Sequence, residues 1–227
     1  MITVVSPAKK ITIECSAKTN LFDKPKFIKD SESLINQLKS LSPSDLESLM
    51  GISEKLALLN WERIQNWYPD FKSDKTREAI FSFKGDTYVG LDSESFTQDD
   101  LVFAQDHLRI LSGLYGLLRP LDLMMPYRLE MGTRFKNNRG KNLYEYWGEK
   151  LSSHLNNELK NHDKNIIINC ASVEYFKSID NLKLNAKVIT PIFKEIKMGK
   201  PKIISFFAKK ARGMMARYII KNAINHE

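Results

Sequence analysis

Hydrophobic and polar positions along the chain follow short periods that change repeatedly. Residues 2–5, ITVV, form an apolar run that reads as a core strand. Residues 29–41 and 43–67 carry helical spacing, with a break near Gly51. IFSFKGDTYVG (80–90) suggests one or two short strands. Thr97 is a candidate N-cap for the helix QDDLVFAQDHLRIL, which Ser112 and Gly113 end. The stretch LYGLLRPLDLMMPYRLEMGTRFKNNRG reads mostly as loop and strand, and residues 142–161 return to helical periodicity. IIINCAS (166–172) reads as a buried strand, with Ser172 capping a helix from Val173. KVITPIF and KIISFFA predict two more strands, and a last helix starts near Lys209. Strands and helices interleave without a repeat, low-complexity tract or linker. The expected class is α/β in the mixed α+β sense: one compact domain over residues 1–227, with a central mixed sheet surrounded by helices.

The last helix changes the picture. Ala211, Met214, Met215, Tyr218 and Ile219 follow the spacing of a buried stripe. Lys209, Lys210, Arg217 and Lys221 then fall within an arc of about 120° on the other side, with Arg212 just beyond it and Gly213 leaving backbone uncovered. The net charge of +8 is concentrated here: residues 183–227 hold 11 Lys or Arg against Glu195 and Glu227. Such a local excess suits an anionic partner, phosphates above all; a solvated basic face is the alternative.

A second feature lies at 43–66. LESLMGISEKLALLN places two short amphipathic segments around Gly51 with almost no loop. It resembles a helix-hairpin-helix, in which a tight turn into a helix aims free N–H groups at one phosphate. Gly51, Ser53 and Lys55 occupy the hairpin positions, with Ser53 in place of the motif's second glycine. An ordinary helical hairpin packed on a core is the competing reading.

A third group has no assigned chemistry. Ser6 and Lys9 follow the first strand, and Asn169 and Ser172 sit at another strand-to-helix junction. Arg119, Tyr127, Arg128 and Glu130 come from an otherwise apolar stretch. Together they would suit a small anionic or nucleobase-like substrate. Glu130 would then be the acid/base and Lys9 or Arg128 the anion holder. That reading requires convergence of these side chains at the strand ends. An internal ion-pair network holding long loops, for instance Arg128 with Glu130 or Asp122, is the competing reading and the one slightly favoured. Four scattered histidines and two cysteines, Cys15 and Cys170, show no metal or CxxC spacing, so neither a metal nor a cofactor is expected. Two cysteines and no apolar run of 18 residues point to the reducing cytoplasm, away from membranes.

SPAK, FKGDTYVGL, AQDHLRILSGLYGLLRPLDLMMPYRLEMGTR, YEYWG, NCASVEYFKSI and KIISFFAKKARGMMARYIIKN together resemble the YaaA peroxide-stress-resistance family, over Ser6 to Asn222. The resemblance implies a cytoplasmic protein that helps cells survive hydrogen peroxide and limits free iron and oxidative DNA damage. It implies a compact α/β body with a helix-hairpin-helix and a positively charged cleft for double-stranded DNA, contacted through its backbone with low sequence specificity. Lys209, Lys210, Arg212 and Arg217 match the family's basic motif. A monomer is expected. Family members usually continue about 30 residues further.

Overall fold

The computed structural model describes residues 1–13, 19–69, 75–197 and 199–226; Cys15 lies outside them. Along the chain, β1 (Ile2–Val5) and β2 (Lys10–Ile11) precede α1 (Ile28–Leu38), α2 (Pro43–Met50) and α3 (Glu54–Gln65). Short elements follow: β3 (Arg77–Glu78), α4 (Ala79–Ser82), β4 (Phe83–Lys84) and α5 (Asp86–Leu91). Then come α6 (Gln98–His107), β5 (Leu108–Ser112), β6 (Gly116–Leu118), β7 (Leu123–Met124), α7 (Leu143–Trp147) and α8 (Lys150–Leu159). The chain closes with β8 (Ile166–Cys170), α9 (Val173–Phe176), β9 (Lys187–Ile189), β10 (Glu195–Lys197), β11 (Lys200–Lys202) and α10 (Ser205–Lys221). No helix is long and apolar enough to cross a membrane among the described residues.

The central sheet has the order β6-β5-β1-β8-β9. β1 pairs in parallel with both β5 and β8, β9 runs parallel to β8, and β6 returns antiparallel to β5. This is the mixed sheet expected from the sequence. β1 and β8 are buried at every position, which is why each reads as an unbroken apolar run. Because the strand order departs in both directions from β1, a crevice opens beyond the carboxyl ends of β1 and β8.

Two expectations are corrected. LRIL (108–111) is not the end of a helix: α6 stops at His107 and Leu108–Ser112 form β5, buried throughout. A strand covered on both faces has no alternation, and Leu101, Ala104, Leu108 and Leu111 happen to keep helical spacing. KIISFFA is not a strand, since only 200–202 extend and α10 begins at Ser205. Residues 80–90, expected to hold one or two short strands, hold one, β4, and are otherwise the α4 turn and α5.

The buried stripe of α10 is also rotated from its expected position. Ala208, Gly213, Ala216, Ile219 and Ile220 face inward, whereas Met214 and Tyr218 are exposed. Small residues explain the shift, because α10 lies backbone-to-backbone on α5. A Cβ on Gly213 would fall 1.8 Å from the Thr87 carbonyl oxygen, and one on Gly90 would fall 2.1 Å from that of Lys210. Hydrophobicity patterns give glycine no weight, so this contact is invisible in them.

Near the amino ends of β1 and β5, away from the crevice, the buried Arg109 donates to both Glu158 oxygens at 2.9–3.1 Å, and His154 lies 3.3 Å from the same carboxylate. Burial alone would raise the Glu158 carboxyl, but the bonds from His154 and Arg109 hold it down at about 2. Its folded pKa lies below the usual 4.5, so its contribution is complete above that value and is lost as pH falls towards 2. The shift corresponds to about 3 kcal/mol. Urea unfolding between pH 5 and about 2 should show this loss. Glu158→Gln should flatten that acid limb and lower stability at neutral pH by a similar amount; an unchanged acid limb would contradict the assignment.

Candidate nucleic-acid interface

The carboxyl ends of β1 and β8 are tied directly to each other. Ser6 Oγ accepts the Ser172 N–H at 2.8 Å, and the two hydroxyls lie 3.3 Å apart. Ser172 caps α9 as expected, its Oγ accepting from Tyr175 N at 3.4 Å. Tyr88 on α5 donates to the Ser6 carbonyl at 3.2 Å, which joins the α5–α10 pair to this junction. Just beyond, a cleft of about 410 Å³ is lined by residues including Ser6, Lys9, Lys84, Asp86, Glu130, Ser172, Glu174, Lys209 and Arg212, with Cys170 among its walls.

Lys9 Nζ lies 2.8 Å from a Glu130 oxygen, and Arg128 donates to the other at 3.1 Å. Ser6, Lys9, Glu130 and Ser172 therefore converge. Arg128 lines an adjoining open groove of about 770 Å³, together with Lys9, Ser48–Gly51, Glu130, Arg134 and Glu174. The two depressions share Lys9, Glu130 and Glu174, so they form one continuous concave surface.

The remaining members of the third group lie elsewhere. Arg119 binds Asp23 at 2.7 Å and Asp122 at 3.1 Å, and it lines hollows with Arg109 and Glu158 instead of the strand-end cleft. Burial pushes Asp122 up to about 6 although Arg119 pulls it down. Tyr127 is buried against Ser112, oxygen to oxygen at 2.6 Å, and desolvation raises its phenol. Asn169 closes a turn: its Oδ1 accepts Ala171 N–H at 3.0 Å and its amide donates to Thr190 Oγ1 at 3.2 Å. The sequence also missed residues in the cleft, namely Lys84, Asp86 and Glu174. Lys84 and Asp86 flank Gly85 in the FKGDTYVGL stretch, which offered their only signal.

The hairpin segment contains the expected break. The capping box of Ser42 and Asp45 starts α2, and Gly51 ends it in the left-handed conformation at φ 60°. Ser53 then stands extended as the N-cap of α3, without a side-chain cap bond, and Lys55 is exposed in the first turn. Gly51 borders the groove. Nearby, burial and the neighbouring Arg128 both depress the Arg63 guanidinium, so this side carries closely spaced positive charge.

The basic face of α10 divides in two. Arg217 pairs with Asp92 at 3.0 Å and reaches Ser95, and Lys221 pairs with Asp100 at 2.7 Å. Among the described residues no ion pair reaches Lys209, Lys210 or Arg212, which sit in the first half of the helix; Lys209 and Arg212 line the cleft.

Cys170 borders the cleft as a neutral thiol. Burial pushes it up to about 12, against the pull of Arg212. Very little of it is thiolate at neutral pH, far less than for a free cysteine. Peptide mass spectrometry after millimolar peroxide should find Cys170 reduced in the native protein. Sulfenic acid forming there as fast as on a free thiol would contradict this.

Comparison with known proteins adds the family. The model of the peroxide stress protein YaaA family matches residues 1–227. The chain belongs to that family. Its relatives include UPF0246 proteins of Saccharophagus degradans, Teredinibacter turnerae and Shewanella baltica, at 55%, 53% and 52% identity. Each alignment covers 99% of this chain and 88% of the relative. A role in peroxide stress follows from this membership.

Proposed function

We propose that this YaaA-family chain serves the peroxide response by binding double-stranded DNA through its phosphates, with low sequence specificity. One observation carries the reading. Two elements picked out separately in the sequence, the hairpin at Gly51 and the first half of α10, flank a single concave surface. Lys9, Arg134, Lys209 and Arg212 line it, the exposed Lys210 follows Lys209 on the helix, and the three α10 cations have no acidic partner among the described residues. Contacts of this kind hold and orient a duplex without reading its bases.

The test is fluorescence anisotropy of a short labelled duplex across a salt series. Five phosphate contacts give a log–log slope of about −4.5. Unrelated duplexes of equal length should bind within a few-fold of one another. A slope near zero, or no binding at low salt, would overturn the proposal.

A further inference from the structure

We infer that the cleft beyond β1 and β8 takes one extrahelical nucleotide of the bound DNA, its base inward and its flanking phosphates at the rim. The inference rests on the DNA-binding reading and goes beyond it. It starts from a mismatch of charge: a surface built only for phosphates would exclude carboxylates, yet Asp86, Glu130 and Glu174 all line this cleft. Glu130 is occupied by Lys9 and Arg128. Glu174 commits one oxygen to Gly132 N–H at 2.9 Å, and among the described residues no hydrogen bond reaches the carboxylate of Asp86. These free acceptor oxygens repel phosphate but match the N–H donors on the pairing edge of a base. Guanine fits best, because its ring N–H and 2-amino group lie side by side and can meet one carboxylate.

The remaining surfaces agree. Pro7, Ala8 and Tyr175 supply apolar and aromatic contact for the faces of a base. At the rim, Lys9, with its side chain 64% exposed, and the α10 cations are placed for the backbone on either side. A volume of about 410 Å³ is that of a small-ligand site and is far too small to admit a duplex. Extrusion costs unstacking, and least where a base is already unpaired, so such sites should be preferred.

Competition anisotropy with three duplexes tests this: fully paired, carrying one bulged guanine, and carrying one bulged abasic residue. The abasic bulge has the same flexibility without a base to insert. The bulged guanine should compete about tenfold better than either of the others. Asp86→Ala and Ala8→Trp, which remove an acceptor and fill the cleft, should abolish that preference, so that the bulged guanine and the abasic bulge compete equally against each folded variant. Equal binding of the guanine and abasic bulges by the unmodified protein would overturn the inference alone. A preference that survives in both folded variants would do the same. Failure to bind any of the three at low salt would overturn the DNA reading as well.

Discussion

Reversing Lys209, Lys210 and Arg212 together to Glu should cost at least about 100-fold in affinity for a duplex at 0.15 M salt. Each phosphate contact contributes about 0.7 log units at that ionic strength through counterion release, so losing three removes about two decades before repulsion is counted. The salt slope should become shallower by about 3. The three side chains form no ion pairs among the described residues, so the thermal midpoint should stay close to that of the parent. Reversing Arg217 should act differently, because its partner Asp92 would be left facing a like charge. That variant should lose stability as well as affinity. Equal duplex binding by the triple variant would remove α10 from the interface.

The second large effect concerns what holds α10 in place. Gly213→Ala puts a methyl group 1.8 Å from the Thr87 carbonyl oxygen and 2.8 Å from Leu91 N, both of them backbone. Neither can rotate away, so α5 and α10 must separate. A cost of about 3 kcal/mol is expected, at the upper end for overpacking. In a chain of this size it should lower the melting midpoint by about 6–12 °C. Gly51→Ala makes a useful contrast. No atom lies within 4 Å of its new methyl, but φ of +60° disfavours an L side chain, so the cost should be about 1 kcal/mol. Calorimetry on both variants separates collision from backbone strain. A Gly213→Ala protein as stable as the parent would refute the close helix contact.

Much of this architecture was legible in the sequence where local chemistry decides it. β1 and β8 are apolar runs too short for helices, Thr97 and Ser172 cap α6 and α9 through their hydroxyls, and Gly51 divides α2 from α3. What escaped depends on partners distant in sequence. β5 is a strand because β1 and β6 flank it, despite residues spaced like a helix. The face that α10 buries is chosen by two glycines 123 positions apart, Gly90 and Gly213, each lying against the backbone of the other's helix.

The candidate site divides in the same way. Ser6 and Ser172 meet because the adjacent parallel strands β1 and β8 end side by side, and the loop after β7 carries Glu130 to Lys9 in the same cleft. Arg119, Tyr127 and Asn169 are satisfied internally by Asp122, Ser112 and Thr190, pairings that no spacing rule discloses. Arg217 and Lys221 look identical in sequence to Lys209 and Lys210. They differ because α10 passes over Asp92 and Asp100 in its second half.

Hydrogen exchange with and without saturating duplex shows whether the hairpin and the first half of α10 form one DNA-facing surface. Slowed exchange is expected in three separate segments at once: the loop after β1 around 6–10, the turn at 49–55, and the start of α10 at 205–213. Duplex bound with those segments unchanged, and protection confined to the far end of the sheet around Arg109 and Glu158, would contradict that arrangement.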